Sequence, residues 1–161
     1  MINQAERIIR QFSVELQSPT GYQAWAERGR PHRTVPLTMA EQRAVCRLKQ
    51  RFRSEKNHCY GNSQRALLLG DTLGLEYAEG YAVFKDAPGF PVRHAWLLLN
   101  GKVVDVTSGG NGHDYFGITI PRKTVMQFVL ENRGYGPLTD DWHLGWKYTH
   151  LLLGWPAAYS T

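Results

Sequence analysis

Asn100-Gly101, set between two apolar runs, constrains this chain more than any other pair of residues. A two-residue hairpin turn asks its central residues to accept positive φ, and Asn-Gly accepts it best. Strands are therefore expected over Val92–Leu99 and Lys102–Thr107. With a two-residue turn Leu99 pairs with Lys102, which sets Leu98 against Val103, Trp96 against Asp105 and His94 against Thr107. Side chains at 94, 96, 98 and at 103, 105, 107 then share one face of the sheet. His94 and Asp105 become diagonal neighbours, about 7 to 8 Å apart at the backbone and closer at the side chains, a gap that an imidazole and a carboxylate can bridge.

The rest of the chain supplies partners for this hairpin. Ile8, Ile9, Phe12 and Leu16 recur at helical spacing, and Ser18-Pro19-Thr20-Gly21 ends that helix. The stretch Gly29 to Pro36 reads as a connecting loop. Thr38-Met39-Ala40-Glu41 is a capping box that opens a second helix, with Val45, Leu48 and Phe52 on its apolar stripe. A third helix is expected from about Tyr60 or Asn62 to Leu73. The period then changes to that of a strand over Glu76–Phe84, followed by a turn at Lys85–Gly89. After the glycine-rich Ser108–Gly112 come a strand over Tyr115–Ile120, stopped by Pro121, and a helix over Arg122–Asn132. Trp142, Trp146 and Trp155 in the tail are expected to pack in the core. Helices first and an antiparallel sheet after them make an α+β domain over residues 1–161, helical over 1–75, sheet over 76–121, with a helix and aromatic-rich tail over 122–161.

Composition narrows the class. Of 161 residues 42% are hydrophobic and 12% aromatic, too rich for a disordered chain, while no apolar run approaches the roughly 20 residues of a membrane span. Met1 to Arg7 holds an acid and no apolar block, so no export signal is read and a cytoplasmic location is expected. The net charge of +5 is uneven: Met1 to Arg65 carries twelve Lys and Arg against five Glu. Arg43, Arg47 and Arg51 form a stripe at i, i+4 and i+8 on the second helix, a candidate anion-binding face beside the plainer reading of a solvated helix.

In a reducing compartment the two cysteines, Cys46 and Cys59, are expected as free thiols. Cys46 lies beside the apolar stripe of its helix and reads as a small buried hydrophobe. Cys59 instead sits at a helix start behind a basic segment, where the helix dipole and nearby cations favour thiolate over thiol. A thiol nucleophile needs a base and a group that orients the base. His94 and Asp105 fill those roles, with Tyr60, Asn57, Asn62 and Trp96 as candidates for oxyanion and substrate contacts. A zinc site built from Cys59, His94 and His113 or Asp105 is the weaker alternative, because none of these has a short metal-ligand spacing. No cofactor is expected.

Cys59 at a helix start, His94-Ala95-Trp96 on one strand and Val104-Asp105-Val106-Thr107 on the next resemble the transglutaminase-like core of the papain-like thiol enzymes. The resemblance covers about Asn57 to Pro121. The chain is also similar to small uncharacterised phage and bacterial proteins, with which it shares the segments Cys59 to Asn62, Glu79 to Ala82, His94 to Trp96 and Tyr115 to Ile118. These likenesses imply a Cys-His-Asp triad acting on an amide in a protein or peptide, by hydrolysis, deamidation or acyl transfer to an amine. The Tyr at position 60 departs from the Trp that many members carry after the cysteine. The rival reading is a non-catalytic protein whose basic helix over residues 39–56 contacts nucleic acid or an acidic protein.

Overall fold

A computed structural model describes residues 3–16, 21–109 and 112–155, apart from the side chain of His113. The expected end of the first helix at Ser18–Thr20 lies outside the described residues. Among the described residues the fold is mixed, with six α-helices and a five-stranded antiparallel sheet. None of these helices is long and apolar enough to cross a membrane.

The sheet grows from the hairpin. Asn100 and Gly101 take φ of 52° and 72°, and the register Leu97↔Val104, Leu98↔Val103, Leu99↔Lys102 is the one expected from the turn. Strand β2 (Glu76–Phe84) pairs with β3 (Ala87–Leu99) on one side and with β5 (Gly112–Ile120) on the other; β4 (Lys102–Val104) lies beyond β3. The outer strand beside β5 is β1 (Arg30–His32), inside the stretch expected to be a loop. Pro31 has no N–H to give, which confines such a strand to a sheet edge and hides it from a reading based on alternation. The order is thus β1-β5-β2-β3-β4. The sheet also curls until its ends meet: Arg33, the residue after β1, makes a parallel bridge to Lys102, and its carbonyl accepts from Val103 N at 2.9 Å.

Ala78, Ala82, Trp96, Leu98 and Tyr115 fill the inside of the curl. Gly80 and Gly117 face each other there, and their missing side chains make the room: a Cβ on Gly80 would stand 2.2 Å from the Phe116 carbonyl, and one on Gly117 would stand 2.8 Å from the Trp96 ring.

The helices cover the outside. Asn3 caps α1 (Gln4–Glu15) by accepting from Glu6 N, and donates to the Tyr115 carbonyl, fixing α1 against β5. With α2 (Gly21–Arg28) and α6 (Lys147–Leu153), α1 buries Ile8, Ile9, Trp25 and Leu153 against Tyr81, Val83 and Phe116. The helix α2 is not expected from the sequence; Ala24, Trp25 and Ala26 bury its short apolar side. The capping box forms at Thr38, with Glu41 accepting from Thr38 N at 2.7 Å at the start of α3 (Met39–Gln50). Glu41 also takes Lys102 Nζ at 2.8 Å and Asn100 Nδ2 at 3.0 Å, so the cap ties α3 to the hairpin. Helix α4 (Cys59–Leu69) and α5 (Arg122–Asn132) bury Leu67, Val125 and Phe128 against Tyr77, Leu97 and Ile120.

Four expectations about burial and length are corrected. Cys46 is exposed; on α3 Leu48 is buried and Val45 packs half-buried against the core, leaving the thiol outside. Trp142 is 67% exposed, while Trp146 and Trp155 are half-buried and pack edge to face. The third helix ends at Leu69, with a separate turn of 3-10 helix at Asp71–Leu73, and β4 stops at Val104.

Candidate active site

The end of β4 at Val104 explains how Asp105 is held. Its carboxylate turns back on its own chain and accepts from the backbone N–H of Thr107 and Ser108 at 2.9 Å each. Such an Asx-type turn competes with a strand ladder. The other oxygen, Oδ2, accepts from the Ser108 hydroxyl, from Tyr115 Oη at 2.8 Å and from His94 Nε2 at 2.7 Å. The diagonal pair expected from the hairpin is therefore formed. Burial by itself would push the Asp105 carboxyl up, but these donors hold it far below the usual carboxylate range.

His94 is buried in an aromatic box, edge to face with Phe84, parallel to Trp96 and tilted against Tyr115. Burial opposes its charged form, yet the imidazole is held above 6.5, up to about 9, by Asp105 and by hydrogen bonding to Cys59. Because Asp105 occupies Nε2, the nitrogen left for the thiol is Nδ1.

Cys59 is the first residue of α4 and is 9% exposed. Ser63, one turn on, donates to the Ala95 carbonyl at 3.1 Å and locks the start of α4 to the strand that carries His94. The N-cap residue is His58, whose side chain makes no cap bond. The helix-start N–H groups beside the thiol are thus not taken up by the cap residue, which is where an anion is best received.

The other expected site residues divide. Tyr60, next to Cys59 in α4, is half-buried, its hydroxyl pushed up by burial and by Glu79 and eased by Arg93. Asn57 takes φ of 62° and lines, with Glu55, His58, Tyr60, Arg65 and Tyr135, a hollow of about 310 Å³ walled by residues on either side of Cys59 in the chain. Asn62 is a structural clamp: fully buried, it accepts from Glu55 N at 3.0 Å and donates to Glu55 O at 2.7 Å and to Thr107 Oγ1 at 3.0 Å. Trp96 lies inside the curl with no exposed surface and donates to His32 Nδ1 at 2.9 Å, so it supports the site from within. Arg43, Arg47 and Arg51 are exposed on and just after α3 and bond none of Cys59, His94 and Asp105, Arg51 donating to Leu69 O instead. Among the described residues no group of three His, Cys, Asp or Glu is gathered to hold a metal ion. The His113 side chain of the zinc alternative lies outside them.

Four residues enter the site that sequence reasoning missed. Tyr115 and Ser108 support Asp105. Glu79, fully buried, accepts from Tyr77 Oη, Leu138 N, Thr139 N and Thr139 Oγ1 and so fastens the segment Leu138–Asp140 over the sheet. Burial pushes the Glu79 carboxyl up against these donors. Arg93 donates to Thr139 O and Oγ1 from the strand position before His94, its guanidinium stacked over Trp25 and Tyr81. The segments Glu79 to Ala82 and Tyr115 to Ile118 were the local signs of two of them, Glu79 and Tyr115. The chain matches no protein-family model, and no curated protein or solved structure matches it.

Proposed function

We propose that this protein is a thiol-dependent acyl-transfer enzyme of the transglutaminase-like class, acting on an amide through Cys59, His94 and Asp105. The observation that carries the reading is the placement of His94, with Nε2 bonded to Asp105 at 2.7 Å and Cys59 as its other polar neighbour. Cys59 Sγ attacks the amide carbonyl as a thiolate, its proton held on His94 Nδ1. The tetrahedral oxyanion is received by the N–H groups at the start of α4. Collapse breaks the C–N bond, His94 returns the proton to the leaving amine, and a thioester remains on Cys59. Water, or an amine, attacks the thioester with His94 again taking the proton, and releases acid or a new amide. Asp105 fixes the imidazole and balances its charge throughout.

The test is alkylation by iodoacetamide, read by mass spectrometry at both cysteines. Cys46 is exposed and serves as the internal reference thiol. In the wild type Cys59 labels readily despite its burial, and His94→Ala slows Cys59 at least about tenfold while leaving Cys46 unchanged. Equal slowing of both thiols, or of neither, would overturn the triad.

A further inference from the structure

The basic helix is unused by this mechanism, and its surroundings say what it is fit to hold. Met39, Arg43, Arg47 and Arg51 follow one another four residues apart, all exposed, Met39 by 64%. With Lys49, Arg53 and Lys56 they put six cations into residues 39–58, against two acids. Neither acid neutralises the stripe: Glu41 is engaged by Lys102 and Asn100, and Glu55 by Arg65 at 3.2 Å. The cations also lead somewhere. Arg51 Nη1 donates to Leu69 O at the C-terminal end of α4, Arg65 in the middle of α4 donates to Arg53 O, and Asn62 clamps Glu55 near its start. The segment after α3 therefore runs back along α4, about 16 Å at 1.5 Å per residue, and delivers Arg51, Arg53 and Lys56 in order toward Cys59.

We infer that this track docks an acidic polypeptide and guides it to Cys59, which makes an acidic protein the substrate class; the inference rests on the thiol-enzyme reading for the last step alone. A polypeptide fits better than a nucleic acid on two grounds. The stripe opens with an exposed methionine and carries the exposed Cys46 alongside, which suits apolar side chains interspersed with carboxylates and not a uniform phosphate backbone. The bond that the candidate triad would cut or form is an amide, which polypeptides supply.

The test is fluorescence anisotropy with three probes on the full chain: a fluorescein-labelled peptide of about 16 residues mixing Glu, Asp and Leu, its Gln and Asn counterpart, and a DNA duplex of about 20 base pairs, each at low and high salt. The acidic peptide is expected to bind at least about tenfold tighter than the neutral one and to weaken severalfold as salt rises. Arg43→Glu with Arg47→Glu is expected to abolish that preference, while Arg7→Glu with Lys123→Glu, on other exposed surfaces, leaves it within about twofold. Should the double Glu variant fail to fold by circular dichroism, Arg43→Gln with Arg47→Gln replaces it and is expected to weaken the acidic peptide about threefold or more. Equal binding of the two peptides, no effect of the stripe variants, or binding of the duplex in preference to the acidic peptide would overturn the inference. Cys59→Ala keeps the binding if the docking surface is right, so loss of thiol reactivity and loss of docking are read separately.

Discussion

Tyr115 and His94 share one acceptor: Tyr115 Oη and His94 Nε2 both bond Asp105 Oδ2, at 2.8 and 2.7 Å. The phenol comes from β5 and the imidazole from β3, so the carboxylate is where the two sides of the curled sheet are joined. Tyr115→Phe removes a buried donor to a charged acceptor and is expected to cost about 2 kcal/mol in urea unfolding at neutral pH, with the secondary structure unchanged by circular dichroism.

Asp105→Asn leaves the shape of the site and removes the charge that holds the imidazole. Against any amide found to be turned over, or against iodoacetamide at Cys59, the rate is expected to fall about 10²- to 10⁴-fold, the range typical of losing the orienting carboxylate or the general base. Retention of the full rate would reduce Asp105 to a structural role.

The same pair gives a pH signature in stability. The folded imidazole of His94 is held above its ordinary 6.5, so its contribution is complete below 6.5 and is lost as pH rises toward about 9. Asp105 is depressed below 3.8, so its contribution is present above that value and is lost as pH falls through the acid range. Denaturant midpoints measured from pH 4 to pH 9 should show the alkaline decline in the wild type and a flatter alkaline side in His94→Gln.

Glu79→Ala would strand four donors that converge on one buried carboxylate. The expected cost is about 3 to 5 kcal/mol, and amide exchange at Leu138 and Thr139 should quicken well beyond the global change. Uniform acceleration across all amides would mean that Glu79 does not fasten that segment specifically.

Asn62→Ala removes the three bonds that hold Glu55 and Thr107 to α4. Thermal stability should fall, by about 1 to 3 kcal/mol for buried groups left unmade, and limited proteolysis should open first between residues 53 and 58. An unchanged cleavage pattern would make Asn62 a candidate substrate contact again.

What could be read from the sequence was what neighbours decide. Asn100 and Gly101 carry the hairpin in their own φ preferences, and that turn sets the register that brings His94 to Asp105. Thr38 and Glu41 carry the cap within one turn of helix. What could not be read depends on partners far along the chain. Tyr115 lies ten residues past Asp105, beyond a glycine-rich loop whose path no local rule supplies. Glu79 binds residues some sixty positions away, and a lone Glu in an apolar strand gives no sign of which donors it will meet. Arg30–His32 forms a strand only because β5 offers it an edge. Trp96 and Asn62 do lie beside the expected triad, but burial gives each a supporting task in place of contact with substrate. Cys46 goes the other way: the stripe beside it packs on the core through Val45, Leu48 and Phe52, and the thiol stays outside.

The bridge from Arg33 to β4 has a bearing on how the molecule behaves in company. An open sheet ending in a short strand would present a row of unsatisfied amides and carbonyls to any copy nearby, and edge-to-edge growth is the common route to aggregates. Here Val103 N is already spent on the chain's own Arg33 carbonyl. At that seam the chain is thus guarded against pairing strand to strand with another copy of itself.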